Sequence, residues 1–371
     1  MRKFTAKCLL LLSPFLFLQA LELFIFPIDY FTFHAWTALR IRRFENLIPG
    51  EFYPNRSISK VEVGDIAPHS RFAVPKQVAW FTDRYGFRKR NSDVAKYKIV
   101  IVGDSHVAGG SLTQDDMLNE VLSRKLNKDV YPYAPSDINQ FVHDRRFHQS
   151  PPAVVILAFS EGLGRLHSLK AAQPRIFASR SKKMIEEMRD SRIFGSVMVL
   201  FDRAYKAAML NYFRSRIKAN LLKYLKNEDV LRGANDEIVQ RNGNILFASG
   251  SKANLPASSE KLNSWVEILK TYSDYFTQRG IRFIFMPVPN KENIYYDLLA
   301  ERRKPEFLIH LLQKVEAEGI ETVNLQTAFE TARNNGIFMY QTDDSHWNRA
   351  GVEIAAERIG KKLGNRFSVT N

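Results

Sequence analysis

Residues 98–111 read KIVIVGDSHVAGGS, a run of β-branched residues that stops at Gly103-Asp104-Ser105-His106 and is followed by the pair Gly109-Gly110. An uninterrupted apolar run of this length has no polar face to offer water, so it belongs in a parallel sheet covered on both sides. The serine then falls at the carboxyl edge of the sheet, where open α/β folds bind ligands. Small residues around it permit a sharp turn, and N–H groups at the start of a following helix face any developing negative charge. A hydroxyl in that position is a weak nucleophile until a base takes its proton, so an imidazole and a carboxylate have to come from elsewhere in the chain.

Three further apolar runs continue the pattern: 153–159, 282–286 and the shorter 321–325. Helical spacing separates them at 115–126, 261–279 and 306–318. Strands alternating with helices predict an α/β domain with a parallel sheet, assigned here to residues 96–371. Residues 31–95 are turn-rich, with Pro49-Gly50, Pro54-Asn55 and Pro68, and read as a poorly periodic lead-in. From about 170 to 240 the chain is basic and helical in pattern, which predicts an insertion over the sheet. Arg241-Asn242-Gly243-Asn244 predicts a tight turn into a short strand.

Residues 1–30 begin with Arg2, Lys3 and Lys7 and continue into an apolar stretch, 8–26, broken by Ser13, Pro14, Gln19 and Glu22. Its length suits a transmembrane helix and its positive flank would stay in the cytoplasm, so an uncleaved membrane anchor is expected. A signal segment is the alternative, although Leu18-Gln19-Ala20 is a poor cleavage site. Cys8, the sole cysteine, lies inside the stretch, so the rest of the chain has neither disulfides nor thiolate chemistry. A net charge of +15 favours an anionic partner. Nucleic acid, a lipid surface and an acidic polymer all answer to that charge, which does not choose among them, although an exported domain is sent away from nucleic acid. His143, His148 and His167 lack metal-ligand spacing, and neither a metal nor a cofactor is expected.

The missing base appears in FMYQTDDSHWNRAG, residues 338–351, where His346 stands three residues after Asp343 and two after Asp344, just before a helix expected from about Ala350. Either carboxylate can hold one imidazole nitrogen and leave the other to face Ser105.

These blocks resemble a known superfamily. IVIVGDSHVAGG is similar to the first block of the SGNH, or GDSL, hydrolases, DDSHWNRAG to the last, and TDRYGFRKR to the approach found in bacterial members. More narrowly, GIRFIFMPVPNKENIYYDLL and GIFMYQTDDSHWNRAG resemble the SGNH-like domain of alginate O-acetylation proteins of the AlgJ and AlgX type. The resemblance spans residues 82–165 and 261–365 and implies a three-layer α/β/α SGNH-hydrolase-like domain. On matching positions it implies Ser105 as nucleophile and His346 as general base. Hydrolase spacing selects Asp343 as the orienting carboxylate, and the shorter spacing of the acetylation proteins selects Asp344. The order of blocks, serine early and histidine late, favours Asp343. Gly109, Ser160, Lys291 and Trp347 are further candidates for oxyanion or substrate contact. The second block lacks its glycine and the third carries Ser160-Glu161 in place of asparagine, leaving the Ser105 N–H as the oxyanion donor. The implied function is an O-acyltransferase or acetylesterase acting on a polysaccharide or glycan. It would sit in the bacterial envelope, single-pass in the inner membrane with a periplasmic catalytic domain, and be served by a membrane acyl-donor protein. The alternative is a degenerate SGNH-like glycan-binding or assembly factor.

Overall fold

The computed structural model describes residues 2–21, 34–41, 48–66, 68, 70–90, 96–161, 166–170, 239–248 and 258–364, with scattered positions between 197 and 221. Helix α1 (Arg2–Ala20) and the short α2 (Ala35–Leu39) precede an antiparallel pair, β1 (Ser57–Glu62) and β2 (Lys76–Phe81). Then come β3 (Ile99–Gly103), α3 (Leu118–Leu126), β4 (Val130–Tyr133), α4 (Ile138–Val142), α5 (Arg145–Gln149) and β5 (Val154–Ser160). A hairpin of β6 (Gln240–Asn242) and β7 (Ile245–Phe247) turns at Gly243, as the sequence predicts. The remaining elements are α6 (Ser259–Thr277), β8 (Arg282–Val288), α7 (Lys291–Ile294), α8 (Phe307–Ala317), β9 (Glu321–Thr322), α9 (Leu325–Asn334) and α10 (Arg349–Leu363).

Five strands make one parallel sheet in the order β4-β3-β5-β8-β9. Side chains of a strand alternate between faces, and here both faces are dry. Ile99, Ile101, Ile156 and Ile284 pack with α3, α9 and α10, while Val100, Val102, Val155, Leu157, Phe283 and Phe285 pack with α4, α6 and α8. This double covering is why residues 99–102 carry no polar position. The chain leaves β3 for β4 on one side and returns to β5 on the other, so the order reverses at β3. A crevice at the carboxyl ends of β3 and β5 follows from that reversal.

Two edges differ from the expected pattern. Strand β4 contains Pro132, tolerated because the strand is at the edge and pairs only with β3. The run 321–325 yields a strand of only two residues, because Asn324 accepts the Thr327 N–H at 3.0 Å and starts α9. The lead-in is also more ordered than its composition suggests, with Trp36, Phe52 and Trp80 meeting edge to face in a core of their own.

The expected membrane-crossing helix is not found: among the described residues no helix is long and apolar enough to span a bilayer. Helix α1 ends at Ala20 with Pro14 inside it, and residues 22–33, which would have extended the apolar run, lie outside the described residues. The basic insertion expected at about 170–240 also lies outside them, apart from its two ends and the scattered positions.

Candidate active site

Strand β3 delivers Ser105 into a single tight turn. Asp104 staples this turn to the neighbouring strand: its Oδ1 accepts the His106 N–H at 2.9 Å and its Oδ2 accepts the Ser160 N–H at 2.7 Å. Burial works against the carboxylate, but the His106 and Ser160 donors hold its pKa at about 2. Ala108 N–H to Asp104 O at 3.0 Å and Gly110 N–H to Ser105 O at 2.9 Å close the turn. Arg88, fully buried, braces it from below. Its guanidinium lies 3.7 Å from the Trp80 ring centre and donates to the carbonyls of Ala108, Gly109 and Leu112.

The loop 340–347 brings the imidazole. Tyr340 and Trp347 pair as an antiparallel bridge, Gln341 N–H donates to His346 O at 3.0 Å, and Asn348 caps α10 by accepting the Gly351 N–H at 3.1 Å. His346 Nε2 lies 2.7 Å from Ser105 Oγ. Its Nδ1 lies 2.6 Å from Asp344 Oδ1, which also accepts the His346 backbone N–H at 2.8 Å. Asp344 Oδ2 accepts the Asp65 N–H at 2.9 Å and the Ser111 hydroxyl. Four donors thus converge on one buried carboxylate. A side chain at Gly110 would end this approach, since its Cβ would lie 2.8 Å from His346 Nε2.

Electrostatics follow from the geometry. Burial disfavours the imidazolium, but Asp344 and Asp65 outweigh it and raise the His346 pKa to about 9. Burial opposes the Asp344 charge as well, yet His346 beside it holds this carboxyl far below the usual range. At neutral pH the resting pair is an imidazolium and a carboxylate, with Nε2–H directed at the serine oxygen. The arrangement can pass the Ser105 proton to His346 once the imidazole is neutral. Asp65, Asp344 and His346 also place three donor atoms within 4.8 Å of one another. His346 and Asp344 hold each other, and the Asp65 carboxylate accepts the Ser345 N–H at 2.8 Å and hydroxyl at 2.6 Å.

The structure therefore brings Ser105, His346 and Asp344 together and corrects the preference for Asp343. Asp343 faces the opposite way, its Oδ2 accepting Gly64 N–H at 2.7 Å and Val74 N–H at 2.8 Å and its Oδ1 meeting Lys76 Nζ at 3.3 Å. Four secondary candidates also change role. Gly109 adopts φ +74° and spends its N–H on His106 O at 3.2 Å, so it is no oxyanion donor. Ser160 gives its N–H to Asp104. Lys291, fully buried, donates to the carbonyls of Gln341 (2.7 Å), Thr342 (3.0 Å) and Asp344 (3.2 Å), holding the histidine loop rather than a ligand. Trp347 is fully buried and donates from Nε1 to His106 O at 3.2 Å, packing edge to face on that ring. The Ser105 N–H has no hydrogen-bond acceptor among the described residues. At the third-block position Glu161 is buried, accepts the Asn293 side-chain amide, and is pushed by burial to a pKa of about 8.

Three contributors lie outside the sequence reading: Asp65, Ser111 and Arg88. The local signal for Asp65 is a Gly64-Asp65 pair closing an alternating stretch, and Arg88 stands in the TDRYGFRKR block. Ser111 carries no signal beyond ending the glycine turn.

Beside Ser111 opens a groove of about 530 Å³, whose lining includes Lys76, Thr113, Asp116, Gln341, Arg349 and Glu353.

Comparison with protein families matches residues 244–370 to the SGNH hydrolase-like domain of acetyltransferase AlgX. The match includes the histidine loop and Lys291 but not Ser105. Comparison with curated proteins finds no match.

Proposed function

We propose, taking as premise the similarity of residues 244–370 to an SGNH hydrolase-like acetyltransferase domain, that this protein transfers or releases acyl groups on a glycan through Ser105. The observation that carries the reading is the 2.7 Å approach of His346 Nε2 to Ser105 Oγ, with Asp344 2.6 Å from the other ring nitrogen. Ser105 Oγ attacks the carbonyl carbon of a donor ester while its proton passes to His346 Nε2. The oxyanion faces the free Ser105 N–H. Collapse expels the donor alkoxide, which takes the proton from His346 and leaves acyl-Ser105. A sugar hydroxyl then attacks the acyl carbon with His346 again as base, the acyl–Oγ bond breaks and Ser105 Oγ takes the proton back from His346; water does the same in an esterase, and exclusion of water decides between them.

The groove beside Ser111, lined by Val78 and Leu112 as well as by Lys76, Thr113 and Gln341, offers hydroxyl-binding groups and apolar surface for a sugar chain, and the positive net charge suits an acidic one. A place in the bacterial envelope and an acyl-donor partner go with this reading. A second reading, a glycan-binding factor without turnover, is favoured by the commitment of the Gly109 and Ser160 N–H groups elsewhere, since each missing oxyanion donor costs about a hundredfold in rate.

A fluorophosphonate probe, followed by a chromogenic acetyl ester with and without an oligosaccharide, separates these readings. Labelling abolished by Ser105→Ala together with ester cleavage supports acyl chemistry, and acetylated oligosaccharide identifies a transferase. No labelling combined with retained glycan binding selects the second reading.

A further inference from the structure

We propose that Asp65 is a positioning residue of this centre, a second carboxylate that shares the His346 charge with Asp344 and fixes Asp344 through its own backbone N–H. The inference rests on the acyl-transfer reading. Asp65 lies between β1 and β2, in the segment before the sheet. Its N–H donates to Asp344 Oδ2 at 2.9 Å, and its carboxylate accepts the Ser345 N–H at 2.8 Å and hydroxyl at 2.6 Å. So held, Oδ2 stands 3.8 Å from His346 Nδ1, too far for a hydrogen bond and close enough for strong attraction.

Asp343 gains a purpose in this arrangement. It takes the N–H groups of Gly64 and Val74 through its side chain and that of Ile66 through its carbonyl at 3.1 Å, with Lys76 closing the far side. These bonds fasten both ends of the β1–β2 loop onto the histidine loop. The adjacent aspartates divide the work, one docking the loop that brings Asp65 and the other orienting the imidazole. Asp344 sets the direction of the ring, and Asp65 adds charge without competing for the Nδ1 proton. Burial and the adjacent Asp344 charge raise the Asp65 pKa, while His346 and the Ser345 donors pull it down, so Asp65 holds its charge best when the imidazolium is present.

His346 is faced by Asp344, Asp65 and Asp104, by Ser105, and by the His106 ring at 4.9 Å, with Lys76 and Lys291 behind the carboxylates. Titration of the His346 imidazole by NMR in histidine-labelled full-length protein isolates the Asp65 share. Asp65→Asn should lower its pKa by about one unit, a tenfold loss of proton affinity, at the low end for a nearby opposite charge because the Asp65 side chain is 42% exposed. Asp65→Glu should keep most of the wild-type value. A merely structural role for Asp65 leaves the titration unmoved in a folded Asp65→Asn protein, and that result overturns the proposal. Should Asp65→Asn fail to fold, Ser345→Ala, which releases the carboxylate from its hydroxyl donor, should lower the same pKa by about half as much, and no shift there is equally fatal. The titration needs no turnover, so a Ser105 that never labels refutes the catalytic reading and leaves the Asp65 result to stand or fall separately.

Discussion

Asparagine at Asp344 and, separately, at Asp343 removes one charge from either of two adjacent buried carboxylates, and the structure assigns the two exchanges different consequences. Asp344 lies 2.6 Å from His346 Nδ1. Unit charges at that distance attract by about 6 kcal/mol at an effective dielectric of 20, an upper limit for what the imidazolium loses. An orienting aspartate replaced by asparagine in a Ser-His-Asp site lowers turnover by ~10⁴-fold, about 5.5 kcal/mol, which agrees. Asp344→Asn should therefore slow fluorophosphonate labelling of Ser105 by three to four orders of magnitude, on the order of the template effect. Asp343→Asn touches only Gly64, Val74 and Lys76, and should cost about 1.5–3 kcal/mol of stability with labelling within about tenfold of wild type. Labelling rates under pseudo-first-order conditions and urea midpoints on the same samples give both quantities. A slow Asp343→Asn protein beside a fast Asp344→Asn protein, both folded, would refute the assignment.

The raised His346 pKa predicts that wild-type labelling climbs about tenfold per pH unit and levels off near pH 9; a plateau already reached at pH 7 would contradict it. The same shift stabilises the fold, fully below pH 6.5 and progressively less as pH rises through about 9. Lys291→Met strips the donor from three carbonyls and should cost about 2–4 kcal/mol by urea unfolding at pH 7. Because burial lowers the Lys291 pKa to about 8, the unfolded chain binds more protons between about pH 8 and 10.5, so this residue makes stability rise across that window. The gap between wild type and Lys291→Met should widen there, and a constant gap would show that the buried amine is not the cause. Gly110→Ala pushes the imidazole off the serine and should slow labelling by about a hundredfold. An unaffected rate would mean that the Ser105–His346 distance is unimportant.

Strand β3 was legible because a strand buried on both faces admits no polar residue, and Ser105 with His346 followed from the chemistry that a serine at a sheet edge requires. The choice between Asp343 and Asp344 was not legible, since spacing from a histidine does not say which way a loop turns. Long-range partners decide it: Gly64, Val74 and Lys76 claim Asp343 from some 270 positions away, with the nearest of these 267 apart. Lys291 misled for a related reason. A lysine after a strand at the ligand-binding edge is placed to meet a substrate, but α7 curls it beneath the carbonyls of residues 341–344, where hydrogen bonds offset its desolvation. Asp65 follows an alternating strand and Arg88 stands in the TDRYGFRKR block, but neither signal says what the side chain meets, which depends on how the β1–β2 segment docks on the histidine loop.

All of the proposed chemistry follows from Ser105 taking up an acyl group because His346 removes its proton. Mass spectrometry of peptides from protein quenched during reaction with a chromogenic acetyl ester tests it directly. An acetyl adduct should appear on the Ser105 peptide and be absent in His346→Ala; ester turnover with Ser105 unmodified, or an adduct that persists without the imidazole, would rule this chemistry out.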